Sequence, residues 1–205
     1  LRTPLTVLQG NLQGMTDGVI PASEEQLRAL LVQTLGMSRL VDQLNTLSLA
    51  GTIDFVTATT TTDLALHVSE TVSLFQTSAG DAVDFRTYLQ PAPAKIDPDR
   101  FRQALLALLE NARRYAGNCG PIDVHTGLDE AGRSFMSVQD KGPGLPDSVQ
   151  HSSFDMFWRS EGLNGRGLSG SGLGLTVVKA IAEGHNARLE FGNNPGGGAY
   201  ARITF

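Results

Sequence analysis

A chain of 205 residues, 40% of them apolar, is long enough for one large domain or for a small and a medium one, each with a true core. Its formal charge of −5 and the lack of any basic tract argue against nucleic acid as a partner. A single cysteine, Cys119, excludes an internal disulfide and fits a reducing compartment, and no apolar run approaches the ~20 residues that a membrane-spanning helix needs. The chain opens Leu1-Arg2-Thr3-Pro4, with neither a starting Met nor a signal peptide, so the expectation is a soluble piece of something longer.

The first predicted element is a helix. Leu1, Leu5, Leu8, Leu12 and Met15 step by four, three, four and three, an a/d heptad stripe. Gly18 and Pro21 break it. Ser23, with Gln26 three residues on, has the form of a capping box opening a second helix. There Leu27, Leu30, Met37, Val41 and Leu44 repeat the heptad-like spacing, and Leu31, Leu40 and Leu47 widen the stripe. Two such helices cannot bury their apolar faces alone. The expectation is a homodimer through residues 1–50, a four-helix bundle; the alternative is a hairpin packed on its own globular domain.

Gly51 ends the hairpin, and "TATTTT" (57–62) reads as a strand or linker. An α+β pattern follows. Residues 63–78 read as a helix and "AVDFRTYL" (82–89) as a strand. Asp97-Pro98 is an N-cap followed by proline at the first helical position, and that helix runs to about Ala116. "IDVHTGL" (122–128), "SFMSVQD" (134–140), "ARLEFGN" (187–193) and "AYARITF" (199–205) read as strands, with a helix over 171–183 between the second and third.

Three stretches carry candidate chemistry. Gly170-Ser171-Gly172-Leu173-Gly174 opens a helix, and bare backbone N–H groups at a helix start attract phosphate. It is neither a dinucleotide fingerprint, because a loop and not a strand precedes it, nor a P-loop, because Leu173 stands where Lys should follow. In "VQDKGPGLP" (138–146), Asp140 ends an apolar strand face as a carboxylate, and Gly142-Pro143-Gly144 permits close approach of a ligand. Such a carboxylate can accept a hydrogen bond from an exocyclic amine. In "LLALLENARRYA" (105–116), Leu105, Leu108 and Ala112 face a core while Asn111 and Arg114 share the adjoining face beside Glu110. An Asn oxygen is a Mg²⁺ ligand type and Arg offers charge to phosphates. Taken singly, the three are equally a plain loop, a capped surface turn and a solvated helix face.

Together, in this order, the three resemble the N, G1 and G2 boxes of the GHKL ATP-binding fold, shared by sensor histidine kinases, DNA gyrase and Hsp90. "FDMFWR" (154–159) resembles the F box of the histidine kinases, and "PGGGAYARITF" (195–205) their terminal glycine box and last strand. "LRTPLT" (1–6) resembles the end of their H box and "RLVDQLNTLS" (39–48) the close of their dimerisation hairpin. The resemblance implies a bacterial two-component sensor histidine kinase core. Residues 1–50 would form a dimerisation and phosphotransfer hairpin lacking its first turn, and 51–205 an α/β sandwich that binds ATP with Mg²⁺.

The resemblance also implies roles. Asp140 accepts from the adenine amine, and Tyr115 lies against the ring. Gly142 and Gly144 shape the pocket and the base of a mobile lid over about 155–169, and Lys141 just before them counts among the nucleotide-binding residues. Asn111 holds Mg²⁺. Arg114 lies near the phosphates, which rest on Gly170, Ser171, Gly172, Leu173, Gly174 and Leu175. Glu110 takes the acidic position before the Asn, and Thr3 would position water for dephosphorylating a response-regulator receiver domain, the implied partner. The setting would be the cytoplasmic portion of an inner-membrane sensor, with membrane segments outside this chain. The sequence departs from the family in two places. Ala107 stands where many members have a second Asn, and the phospho-acceptor His would precede Leu1. His67, His125, His151 and His185 lack the H-box context and are expected to be structural or surface residues. The alternatives are a GHKL ATPase that hydrolyses ATP and a dimeric docking module without kinase activity.

Overall fold

The computed structural model describes residues 2–49, 56, 58–79, 83–116, 119–145 and 174–205. They fall into two compact units, Leu1–Ser48 and Leu49–Phe205.

The first unit is helical. Helix α1 (Arg2–Thr16) leads into a turn in which the N–H groups of Val19 and Ile20 both donate to the Gly14 carbonyl at 2.9 Å. Helix α2 (Glu24–Leu49) follows. The expected capping box forms by half. Ser23 Oγ accepts from the Gln26 N–H at 3.3 Å, but the Ser23 N–H donates to the Pro21 carbonyl at 2.9 Å. Gln26 therefore has no N-cap donor to reach back to, and its Oε1 is buried without a partner. Leu30 is the buried apolar side chain among the described residues of this unit, while Leu5, Leu12, Leu27 and Leu31 are exposed.

The second unit runs β1 (Thr60–Asp63), α3 (Leu64–Ala79), β2 (Phe85–Leu89), β3 (Pro93–Ile96), α4 (Pro98–Ala116), β4 (Ile122–Leu128), β5 (Ser134–Gln139), α5 (Gly174–Gly184), β6 (Arg188–Asn193) and β7 (Ala199–Thr204). β2, β4, β5, β7 and β6 lie side by side in that order as a mixed sheet. The β2–β4 pair is parallel and the others antiparallel. A parallel pair needs a long crossover, which α4 supplies.

The short strand β3 is the element that sequence reading missed. Its stretch holds Pro91 and Pro93, and proline normally argues against a strand. The structure puts Pro93 at the first position of β3, where a missing N–H is tolerated, and pairs the strand antiparallel with β1 from Thr60↔Ile96 to Asp63↔Pro93.

Alternation sorts the sheet residues. Ile122, Val124, Met136, Val138 and Ile203 are buried on the helix-facing side, against Val68 and Val72 of α3, Phe101, Leu105 and Leu109 of α4 and Val177 and Ile181 of α5. Each such side chain contributes ~1.5–3 kcal/mol of apolar burial. The opposite face carries His125, stacked on Tyr88 at 4.7 Å, and Phe135, under the Arg202 guanidinium at 3.8 Å. Among the described residues no helix is long and apolar enough to cross a membrane.

Candidate nucleotide site

Helix α4 is fixed at its start by Asp97. Its Oδ1 accepts from the N–H groups of Asp99 and Arg100 at 3.1 and 3.2 Å, and Pro98 fills the first helical position, where no N–H is missed. The Asp97 N–H donates to His185 Nε2 at 2.9 Å, and His185 Nδ1 lies 2.7 Å from the Ile181 carbonyl. A carbonyl only accepts, so the proton sits on Nδ1 and Nε2 is the acceptor. His185 thus ties the end of α5 to the start of α4.

At the other end of the same pair, a Cβ on Gly174 would lie 3.7 Å from the amide atoms of Asn111. The two helices therefore run antiparallel, and the start of α5 lies beside Asn111. Asn111 and Arg114 are half-buried on the face next to the core stripe of Leu105, Leu108, Leu109 and Ala112. Glu110 is ion-paired with Arg113 at 2.8 Å, one turn along. The Tyr115 ring is exposed.

The third component is the loop after β5. Asp140 is 8% exposed, so its carboxylate needs partners. Its Oδ1 accepts from the N–H of Gly142 at 2.8 Å and of Ala199 at 3.2 Å. Among the described residues no donor reaches Oδ2. Gly142 lies directly on the last turn of α4. A Cβ there would come within 2.9 Å of the Tyr115 carbonyl oxygen and 3.0 Å of Ala116 Cα, which leaves glycine as the residue that fits without displacement.

The family model described as the histidine kinase-, DNA gyrase B- and HSP90-like ATPase matches residues 96–205, the span that holds all three components. The chain belongs to this family. Among its relatives, the signal transduction histidine-protein kinase BaeS of Escherichia coli K12 is 32% identical over 97% of this chain and 43% of BaeS. The solved histidine kinase AdeS of Acinetobacter baumannii matches with a TM-score of 0.79 and 29% identity, over 100% of this chain and 95% of that one. The histidine kinase ThkA, solved in complex with the response regulator protein TrrA, shares the fold with a TM-score of 0.72 at 20% identity, over 100% of this chain and 57% of that one. The chain spans less than half the length of BaeS. Its kinship is with the histidine-kinase members of the family.

The family implies an ATP ligand, and the residues present fit an adenine nucleotide. A buried carboxylate holds one oxygen on two backbone N–H groups, beside a loop without side-chain bulk at Gly142. Among the described residues no group of three or more His, Cys, Asp or Glu forms a metal cage. A divalent ion here would lean on Asn111, phosphate oxygens and water.

The remaining candidates are placed as follows. Lys141 is exposed, Gly144 takes a positive φ of 79°, and Gly174 and Leu175 open α5. Thr3 lies in the first turn of α1, but its side chain is outside the described residues, as are Gly170, Ser171, Gly172, Leu173, "FDMFWR" and His151. His67 Nε2 is 3.1 Å from Thr62 Oγ1. Burial pushes the His125 imidazole below its ordinary pKa, opposed in part by the Asp123 carboxylate. An open cavity of about 440 Å³ beside Tyr88, Gln90, His125 and Phe135 is lined by none of the nucleotide candidates.

Sequence reasoning missed one set of contacts at this site. The β6–β7 hairpin reaches the Asp140 loop through Asn193, Asn194 and Gly198. Its one sequence signal was the polar, glycine-rich turn "NNPGGG" (193–198), which marks a turn but not its neighbour.

Proposed function

We propose that the chain is the catalytic core of a sensor histidine kinase: it binds Mg²⁺-ATP, directs the γ-phosphoryl group to a histidine on the dimerisation hairpin, and passes it to an aspartate of a response-regulator receiver domain. The observation that carries this reading is the meeting of Asn111, Gly142 and Gly174 on the C-terminal half of α4, with the anchored carboxylate of Asp140 next to Gly142. Asp140 reads the adenine amine and Tyr115 lies against the ring. Asn111 holds Mg²⁺. Arg114 and Lys141 offer charge toward the phosphates, which rest on residues 170–175. Bound Mg²⁺-ATP supplies the transferable phosphoryl group with its charge partly neutralised; the protein contributes alignment and fixed charge. Glu110, paired with Arg113, stands at the acidic position before Asn111 and Thr3 at the dephosphorylation position.

The exposed apolar stripe of residues 1–50 supports a homodimer as the state in which it is covered. The ThkA–TrrA complex supports a receiver domain as partner. The kinship with sensor kinases supports a cytoplasmic setting in a longer membrane-anchored protein.

The test uses ATP labelled on the γ-phosphate. With His-Glu prepended to Leu1, the chain gains an acid-labile, base-stable phosphoryl label, while the chain as it stands remains unlabelled. Label released only as free phosphate would make it an ATPase, and neither product would make it a docking module. Label on any of the chain's own four histidines would refute the H-box assignment.

A further inference from the structure

The β6–β7 hairpin touches the nucleotide-reading loop at both ends. At the near end, the Asp140 N–H donates to the Ala199 carbonyl at 2.9 Å and the Ala199 N–H donates to Asp140 Oδ1 at 3.2 Å. The side-chain amide of Asn194 donates to the carbonyls of Ala199 and Asp140 at 3.2 and 3.4 Å. Both partners are pure acceptors, which fixes the amide orientation. Gly198, at a φ of 84°, lies against the Asp140 carbonyl so closely that a Cβ would overlap its oxygen. At the far end, Asn193 Oδ1 accepts from the Leu145 N–H at 2.6 Å and its Nδ2 donates to the Leu145 carbonyl at 2.9 Å. That is a two-point clamp of the kind a neighbouring strand would make. The contacts between the hairpin and the Asp140 loop span 48 to 59 residues of sequence, so they are tertiary and not part of a local turn.

Three of the four groups bonded to Asp140, the N–H and carbonyl of Ala199 and the side-chain amide of Asn194, therefore belong to the hairpin, and the fourth is the Gly142 N–H. We propose that this hairpin sets the base specificity of the nucleotide site. Asn194 and Gly198 act as positioning residues that fix which Asp140 oxygen is spent on backbone and which is offered to the base. Asn193 holds the loop at Leu145. The proposal rests on the reading of Asp140 as the adenine acceptor and adds what makes that acceptor selective. Desolvated carboxylates discriminate by hydrogen-bond geometry, so a carboxylate freed to rotate loses selectivity before it loses all affinity.

The test compares ADP with inosine diphosphate, which carries a carbonyl oxygen where ADP has its exocyclic amine. Calorimetry on the full chain measures both affinities for the wild type, Asn194→Ala, Gly198→Ala and Asp140→Asn. The wild type is expected to prefer ADP, and both hairpin variants to lose about 10-fold of that preference, with the loss falling on ADP. A purely structural role would weaken both nucleotides alike and keep their ratio; that result, or unchanged affinity for both, overturns the proposal. Should Gly198→Ala fail to fold, Asn194→Ala carries the test alone. If Asp140→Asn removes the preference and the hairpin variants keep it, the proposal falls and the adenine reading stands. If Asp140→Asn keeps the preference, both fall.

Discussion

In the helical hairpin, Leu27 and Leu31 stand 50% and 59% exposed, whereas in the larger unit Leu64, Leu105 and Leu109 are fully enclosed. All five lie in leucine-bearing helices. The difference lies opposite the stripe: α4 faces a five-stranded sheet with α3 and α5 at its sides, while α2 buries Leu30 but leaves Leu27, Leu31 and Leu35 open to solvent in a single copy. Periodicity therefore tells which face is apolar and says nothing of what covers it. The larger unit closes its own core, and the candidate nucleotide site is built on it.

The largest expected effect sharpens this contrast. Leu109→Ala leaves a cavity between α4 and the sheet and costs about 2–5 kcal/mol in denaturant unfolding. The same truncation at Leu31, measured on dilute monomer, costs far less; an equal cost would break the contrast. Next, Val41→Glu places a carboxylate in the proposed dimer seam and weakens self-association by about 100-fold in ultracentrifugation while leaving ADP affinity unchanged. A wild-type chain that stays monomeric at micromolar concentration would remove the seam. Within the larger unit, Asn111→Ala should cost about 10-fold in nucleotide affinity with Mg²⁺ and less without it. Equal losses would show that only the contact with Gly174 was disturbed. The smallest effect belongs to Ser23→Ala. Its cap bond is 3.3 Å long and unreciprocated, so thermal unfolding should register about 0.5 kcal/mol, the low end for an N-cap.

Much of this was legible in the sequence for local reasons. Asp97-Pro98 announces the start of α4 because capping and a fixed φ are properties of the residues themselves, and the structure shows both. Gly142-Pro143-Gly144 reads in the sequence as room for a ligand; the structure instead presses Gly142 on the end of α4, a contact within the fold. What was not legible depends on partners remote in sequence. Strand β3 exists because β1 pairs with it, against the preference of its prolines. The capping box loses its second half because the Ser23 N–H finds Pro21 first. The hold of Asn194 and Gly198 on Asp140 crosses more than fifty residues, and no spacing rule connects them.

The central claim is that a carboxylate held at Asp140, beside Asn111 and the start of α5, reads an adenine nucleotide. Titration calorimetry with ADP on the wild type and on Asp140→Asn tests it most directly. The account predicts one site per chain and a loss of about 10- to 100-fold in the variant, because a donor would then face the adenine amine. A folded Asp140→Asn protein that binds ADP as tightly as the wild type would contradict it.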